Sequence, residues 1–222
     1  MIQVDDRVGS VELVPFLQDL APQLCHSIPT PPIKTSRLLS GDVAFDGVGR
    51  DGGKIVVGVE RKRLGDMVNS MRSGRYEGSQ LPGMSEYYDR VHLIIEGRYR
   101  CNLAGDLEKW VVGSQSEHHA AESGLWRIFM LKDQVIRYTE LDHLICRAQA
   151  SGVRVRTSGD EQETAAQIIS LYTQYQKPFD KQIFNGAIHT PQTMATVGKA
   201  SLVRRVAATL SGIGWERSGT WR

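Results

Sequence analysis

The sequence has no long hydrophobic run, almost no net charge and few cysteines. Its longest apolar stretches fall far short of the roughly 20 residues that a membrane-spanning helix needs, so we expect no membrane association. The cysteines Cys25, Cys101 and Cys146 are widely spaced and odd in number, which argues against a disulfide framework and against a zinc-binding pair. We expect free thiols in a reducing compartment.

The first ten residues show no basic region followed by an apolar one, so we expect no signal peptide. The predicted location is intracellular. It is the cytoplasm or nucleoid if the source is prokaryotic or viral, and the nucleus if the source is eukaryotic.

What the chain does contain is enough apolar material for a folded domain. Hydrophobic residues make up 41% of its 222 residues, which is typical of a globular protein with a real core. This length fits one domain with a small appendix. Because the formal net charge is only +2, any affinity for nucleic acid must come from local basic patches.

Short apolar runs alternate with amphipathic segments along the first 177 residues. The patterns predict strands at residues 2–4, 38–45, 54–62, 91–95 and 153–157, and helices at 11–20 (closed by Pro22), near 64–71, at 138–150 and at 163–177. Residues 38–62 read as a β-hairpin. Strands that alternate with helices predict an α/β domain whose sheet mixes this hairpin with parallel strands.

The last 45 residues have a different character. Residues 178–198 read as a linker, and residues 199–222 begin with a basic amphipathic helix. The Gly-Ile-Gly of this segment is typical of a helix-hairpin-helix motif, in which backbone N–H groups bind a DNA phosphate. An ordinary helix C-cap is the alternative. On the first interpretation the DNA contacts are made by Lys199, Arg204, Arg205, Gly212 and Gly214.

The stretch VGVERKRLGDMV, residues 57–68, holds the strongest candidate site. Because side chains alternate along a strand, Glu60 and Lys62 share one face while Arg61 points away. Asp42 lies just before the first strand of the hairpin, which can bring its carboxylate beside Glu60. Two carboxylates can hold a hard divalent ion, and the lysine can act on a water molecule or offset charge on a phosphate. A solvated strand end with salt bridges would show the same pattern.

The surrounding residues resemble the XPF-type structure-specific endonucleases, which have a restriction-endonuclease-like fold. The resemblance rests on Gly41-Asp42, on Glu60-Arg61-Lys62 and on Asp66, which follows after three intervening residues. It extends to VDDR at residues 4–7, to the helix after the motif, to VHLIIEG and to the later helix-strand-helix, so that it covers residues 1–177. It implies a mixed central sheet flanked by helices, followed by a short helical C-terminal appendix.

The resemblance also implies roles for individual residues. Asp42 and Glu60 are expected to be metal ligands, with Asp5 as an additional ligand or support, and Lys62 is expected to act at the water or the scissile phosphate. Arg61 and Asp66 are expected to form a supporting pair or to contact the substrate. Arg75 is a candidate phosphate contact.

The chain departs from the family pattern at Val8, where the family commonly carries an acidic residue. The family motif also does not explain His118 and His119. With Glu122, these two histidines have the spacing of a metal cluster, but a polar loop near a helix start is the favoured interpretation, and no metal site is assigned to them.

The resemblance implies a Mg²⁺-dependent endonuclease, with Mn²⁺ able to substitute, that cleaves branched or flapped DNA in repair, recombination or replication-fork processing. It also implies a homodimer, or a heterodimer with a related subunit. Two alternatives stay open: a catalytically silent subunit that only positions DNA, and a nuclease that acts on RNA or on simple duplex DNA.

Overall fold

The computed structural model describes residues 1–72, 81–112 and 124–183. The chain divides into two units, Met1–Gln182 and Ile183–Arg222, and all described residues except Ile183 lie in the first. Its strands are β1 (Ile2–Asp5), β2 (Ile33–Ser36), β3 (Val43–Val48), β4 (Lys54–Arg63), β5 (Arg90–Glu96), β6 (Tyr99–Cys101), β7 (Leu107–Val112), β8 (Gly124–Ile128), β9 (Met130–Leu131), β10 (Gln134–Val135) and β11 (Arg154–Ser158). Its helices are a 3₁₀ turn (Val11–Leu13), α1 (Val14–Leu24), α2 (Leu64–Arg72), α3 (Leu81–Tyr87), α4 (Tyr138–Ala150), α5 (Glu161–Tyr175) and α6 (Phe179–Gln182).

The main sheet of this part of the chain has six strands in the order β11-β5-β4-β3-β1-β2. β3 and β4 form the predicted antiparallel hairpin, and β3 also pairs antiparallel with β1. β4, β5 and β11 are parallel to one another, as are β1 and β2. The predicted α/β architecture, with a mixed central sheet flanked by helices, is confirmed.

Side-chain alternation divides the core between the two faces of this sheet. On β5, Ile94 packs into a cluster with residues of α1 and α5, whereas Leu93 and Ile95 pack into a second cluster with residues of α2 and α4. All three are completely buried. The sheet is therefore covered on both sides, as expected for parallel strands in the middle of a domain.

Three predicted elements differ from the structure. Helix α1 runs to Leu24, because a proline in the last turn, here Pro22, removes only one backbone donor. The strand predicted to begin at residue 38 begins at Val43, since the residues before it form a turn. The proline-rich connector contains β2, which pairs with β1 along one edge of the sheet.

A second sheet, β6-β7-β8, was not predicted at all. Its strands contain many charged residues, and Trp110 and Trp126 pack edge to face across the β7–β8 pair. Alternation is weak where both faces carry mixed residues, so the periodicity gives no strand signal there.

Two further expectations can be compared with the structure. Cys25, Cys101 and Cys146 are free thiols, as predicted. Over the three described ranges, no helix is both long and apolar enough to cross a bilayer. Residues 179–182 of the predicted linker form α6, and the rest of the linker and the predicted appendix at 199–222 fall outside the described residues, except Ile183.

Candidate active site

Strand β4 separates the residues of the ERK run onto two faces, as the alternation predicts. Glu60 and Lys62 point to one side, where the Lys62 Nζ lies 3.1 Å from the Glu60 Oε1. Both side chains are nearly buried, with 12% and 13% of their surface exposed. Arg61 points to the other side and is bound there by Glu96.

The hairpin register brings Asp42 to Glu60. Val43 is paired with Val59, and the backbone N–H of Asp42 donates to the Val59 carbonyl at 2.9 Å. Gly41 makes the sharp turn into β3 with a φ of +77°, and a Cβ there would lie 3.3 Å from the Val59 carbonyl oxygen. This is a conformation in which glycine carries no steric penalty.

Both oxygens of Asp42 are fixed by protein donors. The Ser10 hydroxyl donates to Oδ1 at 2.6 Å, and the backbone N–H of Arg61 donates to Oδ2 at 2.7 Å. Each oxygen keeps a further lone pair. The carboxylate is thus oriented before any ligand arrives.

The protonation of Glu60 reflects its surroundings. Burial raises the pKa of its carboxyl, and the nearby charge of Asp42 raises it further, while Lys62 lowers it; the resulting pKa is about 7. Two carboxylates that repel each other in a nearly dry place are typical of a site that receives a positive charge.

Tyr88 lies beside the carboxylates. Its hydroxyl donates to the Ser40 carbonyl, and burial together with the charges of Asp5, Glu60 and Asp42 raises the pKa of its phenol. Gly58, two residues before Glu60 and on the same face, leaves room for the ring, because a Cβ there would overlap it. Tyr88 therefore packs against β4 next to the site, while its neighbour Tyr87 lines the cleft.

Asp5 is completely buried and does not line the cleft. It accepts a hydrogen bond from the Arg7 side chain and another, of 2.8 Å, from the backbone N–H of Leu38. Burial raises the pKa of Asp5, but these donors and the Arg7 charge outweigh it, so its pKa lies below the ordinary value. Asp5 was expected to be an additional metal ligand or a support, and its position outside the cleft fits the supporting role.

Arg61 is the centre of an ion network on the opposite face. Its guanidinium binds Glu96 through two nitrogens, at 2.8 and 2.5 Å. It also contacts Glu161 at 3.0 Å and Glu12 at 3.4 Å. The expected pairing with Asp66 is wrong: among the described residues, the guanidinium of Arg61 binds these three glutamates and the Gly9 carbonyl, across the strand from Lys62. The alternative, a contact with the substrate, stays a prediction.

Asp66 lies in the first turn of α2 and is exposed. It lines a cleft of 520 Å³ together with Asp42, Glu60, Lys62 and Arg63. The cleft opens at the end of β4, where the strand continues directly into α2. Its walls carry charges of both signs.

A divalent ion fits the carboxylate pair of this cleft. Mg²⁺ keeps several of its waters and is commonly held by one or two carboxylates, and the repulsion between Asp42 and Glu60 would be relieved by its charge. In the described parts of the chain, no three His, Cys, Asp or Glu side chains come together as a complete metal site. The described residues of the cleft would therefore supply two ligands, Asp42 and Glu60, with water and substrate among the others.

Comparison with known families identifies the chain. The family model described as "ERCC4 domain" matches residues 10–171. The chain belongs to the ERCC4 domain family. The match includes Asp42, Glu60 and Lys62, and it confirms the resemblance to XPF-type endonucleases. A comparison with curated proteins found no match.

Two solved structures resemble this ERCC4 domain chain. The first, "XPF from Aeropyrum pernix, complex with DNA", has 19% sequence identity and a TM-score of 0.47, with 77% of this chain aligned to 62% of that one. The second, "XPF from Aeropyrum pernix", has 16% identity and a TM-score of 0.49, with 98% of this chain aligned to 77% of that one. The chain thus spans less than two thirds of the length of the first.

Several predicted contacts lie outside the described residues. They are Arg75, Lys199, Arg204, Arg205, Gly212 and Gly214, together with His118, His119 and Glu122. Sequence reasoning in turn missed Ser10 and Tyr88, and gave no role to Glu96 or Glu161. These four residues are separated by at least 28 positions from the residue that each contacts, and no local pattern signals such a pairing.

Proposed function

We propose that this chain is a divalent-metal-dependent endonuclease that hydrolyses phosphodiester bonds in branched or flapped DNA. The observation that carries the proposal is the carboxylate pair Asp42 and Glu60 with Lys62 beside it, in the cleft of an ERCC4 domain. The resemblance of this motif to the XPF-type endonucleases implies DNA as the substrate. Mg²⁺ is the expected ion, with Mn²⁺ able to replace it.

Asp42 and Glu60 would hold the ion. Once bound, it would polarise the phosphate and stabilise the leaving oxygen. Ser10 and the Arg61 backbone hold Asp42 in one orientation, so little reorganisation is needed when the ion enters. Because Glu60 is nearly buried, its charge interactions are screened less than they would be in bulk water.

Lys62 is placed to act on the substrate. Its ammonium group lies at the wall of the cleft and is held by Glu60. From there it can offset the charge that develops on the scissile phosphate, or orient the attacking water by donating to its oxygen. Arg63 also lines the cleft at this end of the strand, but its guanidinium is paired with Glu12 and Glu161, so Lys62 is the cation assigned to the phosphate.

The test compares labelled flap, fork, four-way junction and duplex DNA of one sequence, with Mg²⁺ and with EDTA. We expect the flap, fork and junction substrates to be cleaved when Mg²⁺ is present and to stay intact in EDTA. Equal cleavage of all four would remove the preference for branched DNA. Cleavage of none would favour the silent DNA-positioning subunit.

Asp42→Asn and Lys62→Ala test the assigned residues. Each is expected to abolish cleavage while leaving the fold and the metal-free DNA affinity intact. Matched controls come from the same hairpin, because Asp46 and Lys54 form an exposed ion pair away from the cleft, so Asp46→Asn and Lys54→Ala should cleave normally. Retained cleavage in both site variants would reject the assignment.

Metal binding can be followed without catalysis. A rise in Tm with Mg²⁺ is expected for the wild type and for Asp46→Asn but not for Asp42→Asn, since only a ligand that binds the folded state raises its stability. Dimerisation, which the resemblance implies, stays a prediction that analytical ultracentrifugation can test.

A further inference from the structure

The mouth of the cleft carries three apolar side chains that are open to solvent. They are Val8, Leu39 and Tyr87, with 93%, 78% and 49% of their surface exposed, and we call them the apolar rim. All three line the same 520 Å³ cleft as Asp42 and Glu60. Single exposed apolar residues are ordinary, but several around one polar cleft indicate a contact with a ligand.

Val8 is the tip of a turn that is tied down on both sides. Arg7, before it, binds Asp5. After it, the Gly9 carbonyl accepts from the Arg61 Nη1 at 2.7 Å, and the Ser10 hydroxyl donates to Asp42 at 2.6 Å. The backbone on both sides of Val8 is therefore anchored. Val8 is two residues from Ser10, which binds the candidate metal ligand Asp42.

Leu39 is held in the same way. The backbone N–H of Leu38 donates to Asp5 at 2.8 Å, and the Ser40 carbonyl accepts from the Tyr88 hydroxyl. The guanidinium of Arg7 reaches the carbonyls of Leu38 at 3.4 Å and Gly41 at 3.5 Å. Arg7 thus links the turn of Val8 to the turn of Leu39, and the two tips lie on adjoining segments.

The chemistry of the rim distinguishes between forms of DNA. A continuous duplex presents phosphates and sugars to a protein, and its base faces are covered by stacking. An unpaired nucleotide exposes an apolar base face, which packs well against aliphatic or aromatic side chains. The rim would gain free energy from the second form and little from the first.

We propose that the apolar rim receives the base of an unpaired nucleotide next to the scissile phosphodiester. The inference rests on the proposed function, because it names the form of DNA that the same cleft accepts. On this basis the rim selects substrates with an unpaired nucleotide at the cleavage position. The charged residues of the cleft then act on the phosphate of that nucleotide.

The first test uses the double variant Val8→Ser/Leu39→Ser in the full chain. Two DNA substrates share one sequence and differ only in whether the nucleotides near the cleavage position are paired. We expect kcat/KM to fall about tenfold on the unpaired substrate and by less than about twofold on the paired one. Leu103→Ser is the control, since Leu103 is a fully exposed leucine that does not line the cleft.

The second test measures binding in EDTA, so that it does not depend on cleavage. Fluorescence anisotropy with a labelled single strand and a labelled duplex should show that the double variant loses about tenfold in affinity for the single strand alone. In either test, an equal loss of kcat/KM or of affinity on both DNAs, or no loss on either, would overturn the proposed role of the apolar rim. If the wild type cleaves neither substrate, the proposed function fails, and the binding result still decides for or against the rim.

Discussion

The two faces of strand β4 hold their charges under opposite conditions. On the face that we call the network face, Arg61 is 5% exposed on its side chain and is matched by Glu96, Glu161 and Glu12. On the cleft face, Glu60 and Asp42 repel each other, and Lys62 compensates this only in part. Arg61 thus belongs to a network in which its charge is fully paired, whereas its neighbour Glu60 belongs to a group of charges that is only partly compensated.

This difference shows how one strand can serve both stability and chemistry. A buried charge that is fully paired holds the surrounding elements in one arrangement, here β4, β5 and α5. A buried charge that is left without full compensation lowers stability but keeps free energy available for a ligand. Side-chain alternation keeps the two functions only one residue apart.

Removing the centre of the network face should have the largest effect. Arg61→Met leaves the buried Glu96 with only the Thr164 hydroxyl at 2.7 Å and the more distant Arg63 at 3.7 Å, and we expect a loss of about 3–5 kcal/mol in the free energy of unfolding. Urea denaturation measures this. Arg63→Met is the control, because Arg63 contacts the same Glu12 and Glu161 but is 53% exposed, and it should lose less than about 1 kcal/mol. Equal losses in both variants would contradict the comparison.

Gly58→Ala tests the packing of Tyr88 against the cleft face of β4. The added methyl group would overlap the Tyr88 ring, and we expect a loss of roughly 2–3 kcal/mol from overpacking. Gly65→Ala is the matched control, since nothing lies within 4 Å of a Cβ there and alanine is favoured in a helix. Thermal or urea unfolding of the two variants should therefore move in opposite directions, and a neutral Gly58→Ala would show that Tyr88 is free to shift.

We expect the stability of the protein to depend on pH through His92. This residue lies on β5, on the same side of the sheet as Arg61. Burial lowers the pKa of this histidine to about 3, and the charges of Arg154 and Arg156 contribute to the same shift. Its Nε2 lies 3.0 Å from the Tyr175 hydroxyl, and its Nδ1 has no partner among the described residues. Between pH 6.5 and about 3 the unfolded chain binds a proton that the folded chain does not, so stability falls as the pH falls through this window.

The expected loss that is due to His92 is about 2 kcal/mol at pH 5 relative to pH 8. His92→Gln should remove this part of the pH dependence, whereas His143→Gln, on the exposed side of α4, should leave it in place. Urea unfolding at a series of pH values gives the curves. Unchanged pH dependence in His92→Gln would reject the assignment.

Glu60→Gln should give the smallest change in stability, and in the opposite direction to Arg61→Met. Without metal at pH 8, removing the charge relieves both the burial cost and the repulsion from Asp42, so we expect a gain of about 1 kcal/mol. The same variant should lose cleavage. Glu86→Gln, which changes an exposed glutamate, is the control. A loss of stability in Glu60→Gln would mean that Lys62 fully compensates the carboxylate.

Most of the central sheet follows from local patterns. The hairpin of β3 and β4, the buried strand β5 and helices α4 and α5 could all be predicted, because apolar periodicity is strong where an element packs against a core. The same alternation placed Glu60 and Lys62 opposite Arg61. The second sheet could not be predicted, since its strands mix charged and apolar residues on both faces.

The partners of the site residues were beyond local reasoning. Arg61 is 35 residues from Glu96 and 100 from Glu161, and only the parallel order of β4, β5 and β11 brings these elements together. The family resemblance instead implied a pairing of Arg61 with Asp66 of the same motif. The support of Asp42 by Ser10 is hidden for the same reason.

The packing of β4 on both faces restricts where the chain can change its length. Val57 and Val59 are fixed in the core on one side, while Gly58 faces Tyr88 on the other. A single inserted or deleted residue between Gly58 and Glu60 would turn the carboxylate into the network and the guanidinium into the cleft. The exposed turn at residues 50–53 carries no such restriction. Insertions, tags or a neighbouring domain can be accommodated there without disturbing the register of the strand.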